Sequence, residues 1–347
     1  VLSGKPAENE KHGEHLNSHI RWSGKGMMTR NKSLLILCAA LILIGPGAIR
    51  LVVAGGPEKA LPVWLFTSFR GNGEDGLHLA YSRDGYKWVA LKKDGSFLTP
   101  AIGTKLMRDP CIVQGPDGAF HMVWTTGWND DGFGYASSKD LIAWGEQKYL
   151  PVNAGVKGAK NTWAPDAFYD EKTKQFLIVW ATTVPGRFPE TDNQDKYNHR
   201  LYYVATKDFQ KFTEPKLFYN PGFNSIDGTL LKSNGKHQLV FKDERPGQKN
   251  LRMATAEKAE GPYGAPSEPI SGDWVEGPSV AKIGDRWLIY FDHYHNPQYY
   301  GALESTDFKT WEDVSSKVSF PKGHRHGSVL QISEHVLGRL LNQYRER

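Results

Sequence analysis

Five residues open short apolar segments at similar places in the 347-residue chain. They are Asp109 in Asp109-Pro110-Cys111-Ile112-Val113, Asp166 in Asp166-Ala167-Phe168-Tyr169, Asp227 in Asp227-Gly228-Thr229-Leu230-Leu231, Glu276 in Glu276-Gly277-Pro278-Ser279-Val280, and His326 in His326-Gly327-Ser328-Val329-Leu330. Four carboxyls and an imidazole gathered in one place repel one another if all the carboxyls are ionised. Such clusters persist where shifted pKa values or a bound cation do work. The chemistry they suit is proton transfer between a placed acid and a placed base.

A repeating fold is what would gather them. One element is a strand, a polar turn and an aromatic: Leu79-Ala80-Tyr81-Ser82-Arg83-Asp84-Gly85-Tyr86-Lys87-Trp88. It returns at 135–144, 204–212 and 302–311, and in a degenerate copy at Met253-Ala254-Thr255-Ala256-Glu257. Ahead of each copy lies an alternating strand such as Phe176-Leu177-Ile178-Val179-Trp180 or Trp287-Leu288-Ile289-Tyr290-Phe291. Period-two alternation rich in aromatic and β-branched residues predicts strands. Self-similarity at this spacing predicts radial blades. The fold expected over 61–333 is an all-β, five-bladed β-propeller. The N-terminal strands have no acid-opened predecessor, so the C-terminal strand after His326 is expected to join them and close one blade. A β-sandwich would explain the strands but not five registered copies. The first strand of each blade lines the channel, so Asp109, Asp166, Asp227, Glu276 and His326 are expected at equivalent positions around its mouth.

At this point the sequence resembles glycoside hydrolase family 43. The likeness rests on Asp109-Pro110, Trp163-Ala164-Pro165-Asp166, Ser225-Ile226-Asp227 and Glu276-Gly277-Pro278, in that order. The resemblance implies that Asp109 is the general base, Asp227 tunes and orients the acid, and Glu276 is the general acid. It implies a substrate contact for Asp166 and an axial calcium or water site near His326. No cofactor is needed for the chemistry itself. Gly228 departs from the family's usual proline or alanine. Glycosidic cleavage needs an acid on one side of the bond and a base or nucleophile on the other. Carboxylates on different blades can stand far enough apart to admit water, which favours inversion.

Around these acids, Arg108 is a candidate for a substrate hydroxyl, and Trp128, Trp163 and Trp274 for a sugar platform. His293, in the His293-Tyr294-His295 motif, is read as pocket rim, and His324 competes with His326 for the axial position. The expected substrate is an oligo- or polysaccharide, with α-L-arabinofuranose the first sugar and β-xylose or a galactose residue the alternatives. A fructan hydrolase lacks support, because no Asn-Asp-Pro-Asn-Gly opening is present. A non-catalytic carbohydrate-binding propeller is the alternative of another class.

Residues 1–60 hold eight Lys/Arg against four Asp/Glu, which leaves the rest of the +5 chain near neutral. That argues against a nucleic-acid surface. The two cysteines, Cys38 and Cys111, set no disulfide framework. Residues 1–26 read as upstream or disordered sequence. Residues 27–54, with Arg30, Lys32, the apolar run 34–44 and Val52-Val53-Ala54, read as a signal peptide, or an uncleaved anchor. A secreted or periplasmic protein is therefore expected, with no other membrane contact and the oligomeric state left open. Residues 334–347 are read as a tail.

Overall fold

The computed structural model describes residues 62–192 and 197–345. The expected leader (1–26) and signal segment (27–54) lie outside them. The described strands form five antiparallel sheets, one per expected blade. Blade one starts with the strand Arg108–Gln114, blade two with Trp163–Asp170, blade three with Ser225–Ser233 and blade four with Val275–Ile283.

The closing blade joins the two ends of the domain. Val63–Arg70 pairs on one side with His78–Ser82 and on the other with Val329–Ile332, in the register Val63↔Ile332 to Phe66↔Val329. The short strand His324–Arg325 continues that edge, with Phe69↔Arg325 and Arg70↔His324. The inner strand of this blade thus comes from the C-terminal end of the domain, as expected.

Alternation on the second strand of each blade builds the core. Successive side chains point to opposite faces of a strand, and each face meets a different neighbouring blade. Leu177 and Val179 pack toward blade three, whereas Ile178 and Trp180 pack toward blade one. Likewise Ile289 and Phe291 join the cluster shared with blade three, while Leu288 and Tyr290 join Trp64 and Phe66 of the closing blade. Five blades therefore share five buried apolar clusters, one per interface.

The recurring polar turn works by side-chain capping. Ser82, Ser138, Thr206 and Ser305 each accept the N–H three residues on. Asp84, Asp140, Asp208 and Asp307 each accept two further N–H groups. This compact turn sends the chain into the outer strand. The degenerate copy has Ala256-Glu257 in place of Ser/Thr-x-Asp, and blade three is the sheet with three strands instead of four.

The C-terminal segment departs from expectation. Glu334–Gln343 is an α-helix whose N-cap Ser333 accepts the Val336 N–H at 3.2 Å. Leu337 and Leu340 are fully buried in the cluster between the closing blade and blade one. The tail is therefore part of the folded domain.

Candidate active site

Four blade-opening strands carry the same irregularity, and it corrects the expected ring. The pairing with the second strand skips one residue between Arg108 and Cys111, between Trp163 and Asp166, between Ile226 and Thr229, and between Glu276 and Ser279. Each skip is a β-bulge, which adds a residue and re-aims the side chains around it. The bulge residues are Asp109, Ala164, Asp227 and Gly277, with φ of 53°, 46°, 53° and 60°. On the closing blade one extra residue likewise lies between the pairs Phe69↔Arg325 and Phe66↔Val329, which puts His326 in the matching place. The five acid and imidazole groups are therefore not equivalent. Asp109, Asp227 and His326 share the bulge position. Glu276 lies one residue before it, level with Arg108, Trp163, Ile226 and Arg325. Asp166 lies two residues beyond it.

The bulge residues of adjacent blades are tied together. Thr125 on blade one donates to Asp109 Oδ2 at 2.9 Å and accepts the N–H of Ala164, the bulge residue of blade two, at 2.8 Å. Asp227 Oδ2 accepts the N–H of Gly277, the bulge residue of blade four, at 3.0 Å. The His326 ring lies between the two aspartates, with Nδ1 3.3 Å from Asp109 Oδ1 and 3.9 Å from Asp227 Oδ2. Glycine at 277 makes room for that ring, since a Cβ there would lie 2.3 Å from His326 Cγ.

The charges follow from these contacts. Burial opposes a charged His326, but the Asp109 and Asp227 carboxylates outweigh it and push its pKa up to about 9. Burial would likewise raise Asp109, yet the imidazolium and the Thr125 hydroxyl hold its carboxyl below the usual range. Asp227 differs. Burial comes first, Glu276 and Asp109 add to it, and its pKa rises to about 7 despite His326.

Glu276 accepts from Lys242 Nζ at 2.9 Å and from Arg325 Nη2 at 3.2 Å. Burial works to raise its pKa, but these two cations bring it below the ordinary value. Lys242 is itself buried, 2.8 Å from Glu244 and over the Tyr294 ring at 4.2 Å. Arg325 also bonds Asp292 through Nε. Of the Asp227–Glu276 pair, Asp227 is therefore the member whose surroundings favour the proton.

These groups floor a cleft of about 630 Å³ that is also lined by Asn72, Arg108, Trp128, Trp163, Trp274 and Tyr294. A volume of that order suits a small ligand. Arg108 is stacked between the Phe69 and Trp128 rings and donates to Asn72. Trp163 meets Trp128 edge-on at 5.5 Å and donates to its carbonyl. Trp128 and Trp274 are exposed. His293 is not part of the lining; its ring stacks on Tyr299, its partner on the third strand of blade four. His324 bonds Ser68 and Asp94 instead of the blade-opening acids.

Asp166 sits below the cleft, in a small cavity with Cys111, Thr229, Ser328 and His326. Its pKa rises to about 6 through burial, although Thr229 donates to it at 3.1 Å. Calcium takes six to eight oxygen ligands. The cavity is lined by the carboxyls of Asp109, Asp166 and Asp227, the hydroxyls of Thr229 and Ser328, the Cys111 thiol and the His326 ring, but Asp109 and Asp227 are already engaged by Thr125, His326 and Gly277, and there is room for about one water, not for a shell of that size. These side chains do not fit an axial calcium, and no step is derived through one.

Sequence reasoning overlooked Lys242, Arg325 and Tyr294. The signal for Lys242 was a lysine directly after the apolar run Leu239-Val240-Phe241, paired with Ile226 one residue before Asp227. Arg325 stood beside a singled-out histidine.

Three comparisons bear on this geometry. The family described as probable glycosyl hydrolase domain, a relative of family 43, matches residues 60–337. An α-L-arabinofuranosidase of Bifidobacterium longum subsp. longum is 22% identical over 217 residues, or 55% of this chain. The match spans only 20% of that enzyme's length. Among solved structures, an α-L-arabinofuranosidase from Lactobacillus brevis superposes with a TM-score of 0.50 at 18% identity, over 60% of this chain and 72% of that one. The catalytic domain of a family 62 α-L-arabinofuranosidase from Coprinopsis cinerea gives 0.50 at 15%, over 67% and 77%. At such identities the structural likeness speaks for the fold alone.

Proposed function

The chain belongs to the probable glycosyl hydrolase domains related to family 43, and from that premise we propose that it removes terminal glycosyl residues from oligo- or polysaccharides by an inverting acid/base mechanism. The observation that carries the reading is the opposed pKa shifts of carboxyls sharing one cleft. His326 holds the Asp109 carboxyl below the usual range, whereas in the Asp227–Glu276 pair the Asp227 carboxyl, raised to about 7, still carries a proton in about half of the molecules at neutral pH. Two carboxyls whose environments push their pKa values apart supply the base and the acid that glycoside cleavage requires.

Asp109 accepts the proton of a water as the water attacks the anomeric carbon. Glu276 delivers the pair's proton to the leaving oxygen. It is the more open member, its side chain 20% exposed against 6% for Asp227. Asp227 holds the proton between turnovers. Trp128, Trp163 and Trp274 offer faces for the sugar, and Arg108 is fixed by its stacking to present its guanidinium at the rim. The arabinofuranosidase relatives make a terminal α-L-arabinofuranosyl group the first substrate.

The test is a panel of nitrophenyl glycosides with NMR of the first-formed sugar. Release from the α-L-arabinofuranoside, with inverted anomeric configuration, is expected. Turnover of a β-xyloside or galactoside instead would reassign the sugar. A retained anomer would remove Asp109 as base, and oligosaccharide binding with no turnover would favour a binding propeller.

A further inference from the structure

A second cluster lies at the seam where the ring closes, away from the cleft. His78 begins the second strand of the closing blade, Asp94 ends the turn Lys92–Asp94, and His324 lies on the C-terminal inner strand. His78 and His324 side chains are 2% and 0% exposed, and Asp94 is 26% exposed, so one side of the cluster is open to water. Each of the three offers one donor atom within 4.8 Å of the other two, and Asp94 Oδ1 lies 3.5 Å from His78 Nδ1 and 2.7 Å from His324 Nε2.

One buried ring nitrogen of this cluster has no hydrogen bond. His78 Nε2 lies 2.9 Å from Asp75 Oδ2, a carboxylate that can only accept, so Nε2 carries the proton. The other nitrogen, Nδ1, faces the Asp94 carboxylate 3.5 Å away. That nitrogen is fully buried and has no hydrogen-bond partner. A cation between Nδ1 and the carboxylate, a proton or a metal ion, would join them, and the convergence of His324 Nε2 on the same Asp94 oxygen at 2.7 Å supplies the third donor that a metal ion needs and a proton does not.

The remaining contacts fit a metal's outer shell. A metal-bound imidazole characteristically engages its other nitrogen with a carboxylate, carbonyl or water. Here Asp75 serves His78, and the Ser68 hydroxyl lies 2.5 Å from His324 Nδ1. Arg70 holds the other Asp94 oxygen at 3.1 Å. Lys92, Lys93 and Asp94 all have left-handed backbones, with φ of 53°, 50° and 63°. Such strain persists where the surroundings fix it, often at ligand sites; here it aims Asp94 at the two histidines.

We propose that His78 Nδ1, Asp94 Oδ1 and His324 Nε2 bind one divalent transition-metal ion of the zinc class, stapling the C-terminal strand into the closing blade. Two imidazoles and a carboxylate are typical zinc donors, and bonds of that class put adjacent ligand atoms about 3.3 Å apart. The observed separations from Asp94 Oδ1, 3.5 Å to His78 and 2.7 Å to His324, bracket that value. The open side leaves a place for water. This ion does not rest on the proposed hydrolysis and takes no part in it.

Cobalt(II) titration of the full chain tests the site, followed by its visible d–d bands and by metal stoichiometry. Asp94→Asn and His78→Ala serve as controls, each checked by circular dichroism. Asp94→Asn keeps the side chain's size and its bond to His324, so it separates loss of metal from loss of fold. His12, His15 and His19 near the N-terminus, and His326 in the cleft, are unchanged in both variants. The wild type is expected to bind one equivalent more than either variant. Zinc at a hundredfold excess over Kd should raise the wild-type melting midpoint by about 5 °C, and that of Asp94→Asn by less than half as much. Equal stoichiometry in wild type and a folded variant, or no wild-type band, would overturn the proposal.

Discussion

Asp109 of blade one and Asp227 of blade three occupy the same bulge, with the same φ of 53°, and both face the His326 ring. Their pKa values are nevertheless pushed in opposite directions. Asp109 has the shorter contact with the imidazolium and a hydroxyl donor on its other oxygen. Asp227 has the longer one and stands in the field of Glu276 and Asp109, so its burial is not offset. The fold supplies a position, and the neighbouring strands decide whether that position holds a base or a proton. Position in the repeat is therefore not evidence of role.

Substitutions that remove one side of this comparison should have the largest effects. Asp109→Asn takes away the base proposed for the reaction and is expected to lower kcat/KM by about 10³- to 10⁴-fold on an aryl glycoside, with the circular dichroism spectrum unchanged. Asp227→Asn preserves the shape of a protonated aspartate but cannot release a proton; a loss of about 10²-fold is expected. Equal activity in the wild type and Asp227→Asn would reduce Asp227 to a structural group.

Stability should separate the two aspartates by sign. Asp109 has a folded pKa below its unfolded value, so its contribution is present above pH ~4 and is lost as pH falls through the folded value. Asp227 has a folded pKa of about 7, above its unfolded value. Its contribution is complete only below pH ~4 and is lost as pH rises through 7. Urea unfolding at pH 8 should therefore find Asp227→Asn more stable than wild type, by on the order of 3 kcal/mol, and Asp109→Asn less stable. His326 adds to the alkaline loss in the wild type. Its pKa of about 9 is raised above the ordinary 6.5, so its contribution is complete below 6.5 and lost through 9.

The smallest effect expected is that of Lys242→Met. Without this cation Glu276 holds its proton to higher pH. The alkaline limb of the pH–rate profile should move up by about one unit, with less than a tenfold loss of maximal rate. An unmoved limb would mean that Lys242 does not govern the pair.

Much of this architecture was legible in the sequence. Alternation such as Leu177-Ile178-Val179-Trp180 reports a strand buried on both faces, and the Ser/Thr-x-Asp turns mark where each blade reverses. Ring closure followed from one orphan strand at each end. The tiers of the site were not legible, because a bulge inserts a residue without breaking the apolar pattern on either side. That is why Asp166, Asp227 and Glu276 looked equivalent when they stand at three levels. Lys242 was hidden because its role comes from partners on other strands, Glu276 above all. The helix at 334–343 had its signals in place, Ser333 as cap and Leu337 and Leu340 at helical spacing.

The protonation of the two bulge aspartates can be read directly. Carboxyl ¹³C NMR of aspartate-labelled protein, assigned with Asp109→Asn, Asp166→Asn and Asp227→Asn, gives each residue's own titration. The account predicts that the Asp109 signal titrates below pH ~4 while that of Asp227 moves near pH 7. Two signals that titrate together in the ordinary carboxylate range, or in the reverse order, would contradict it.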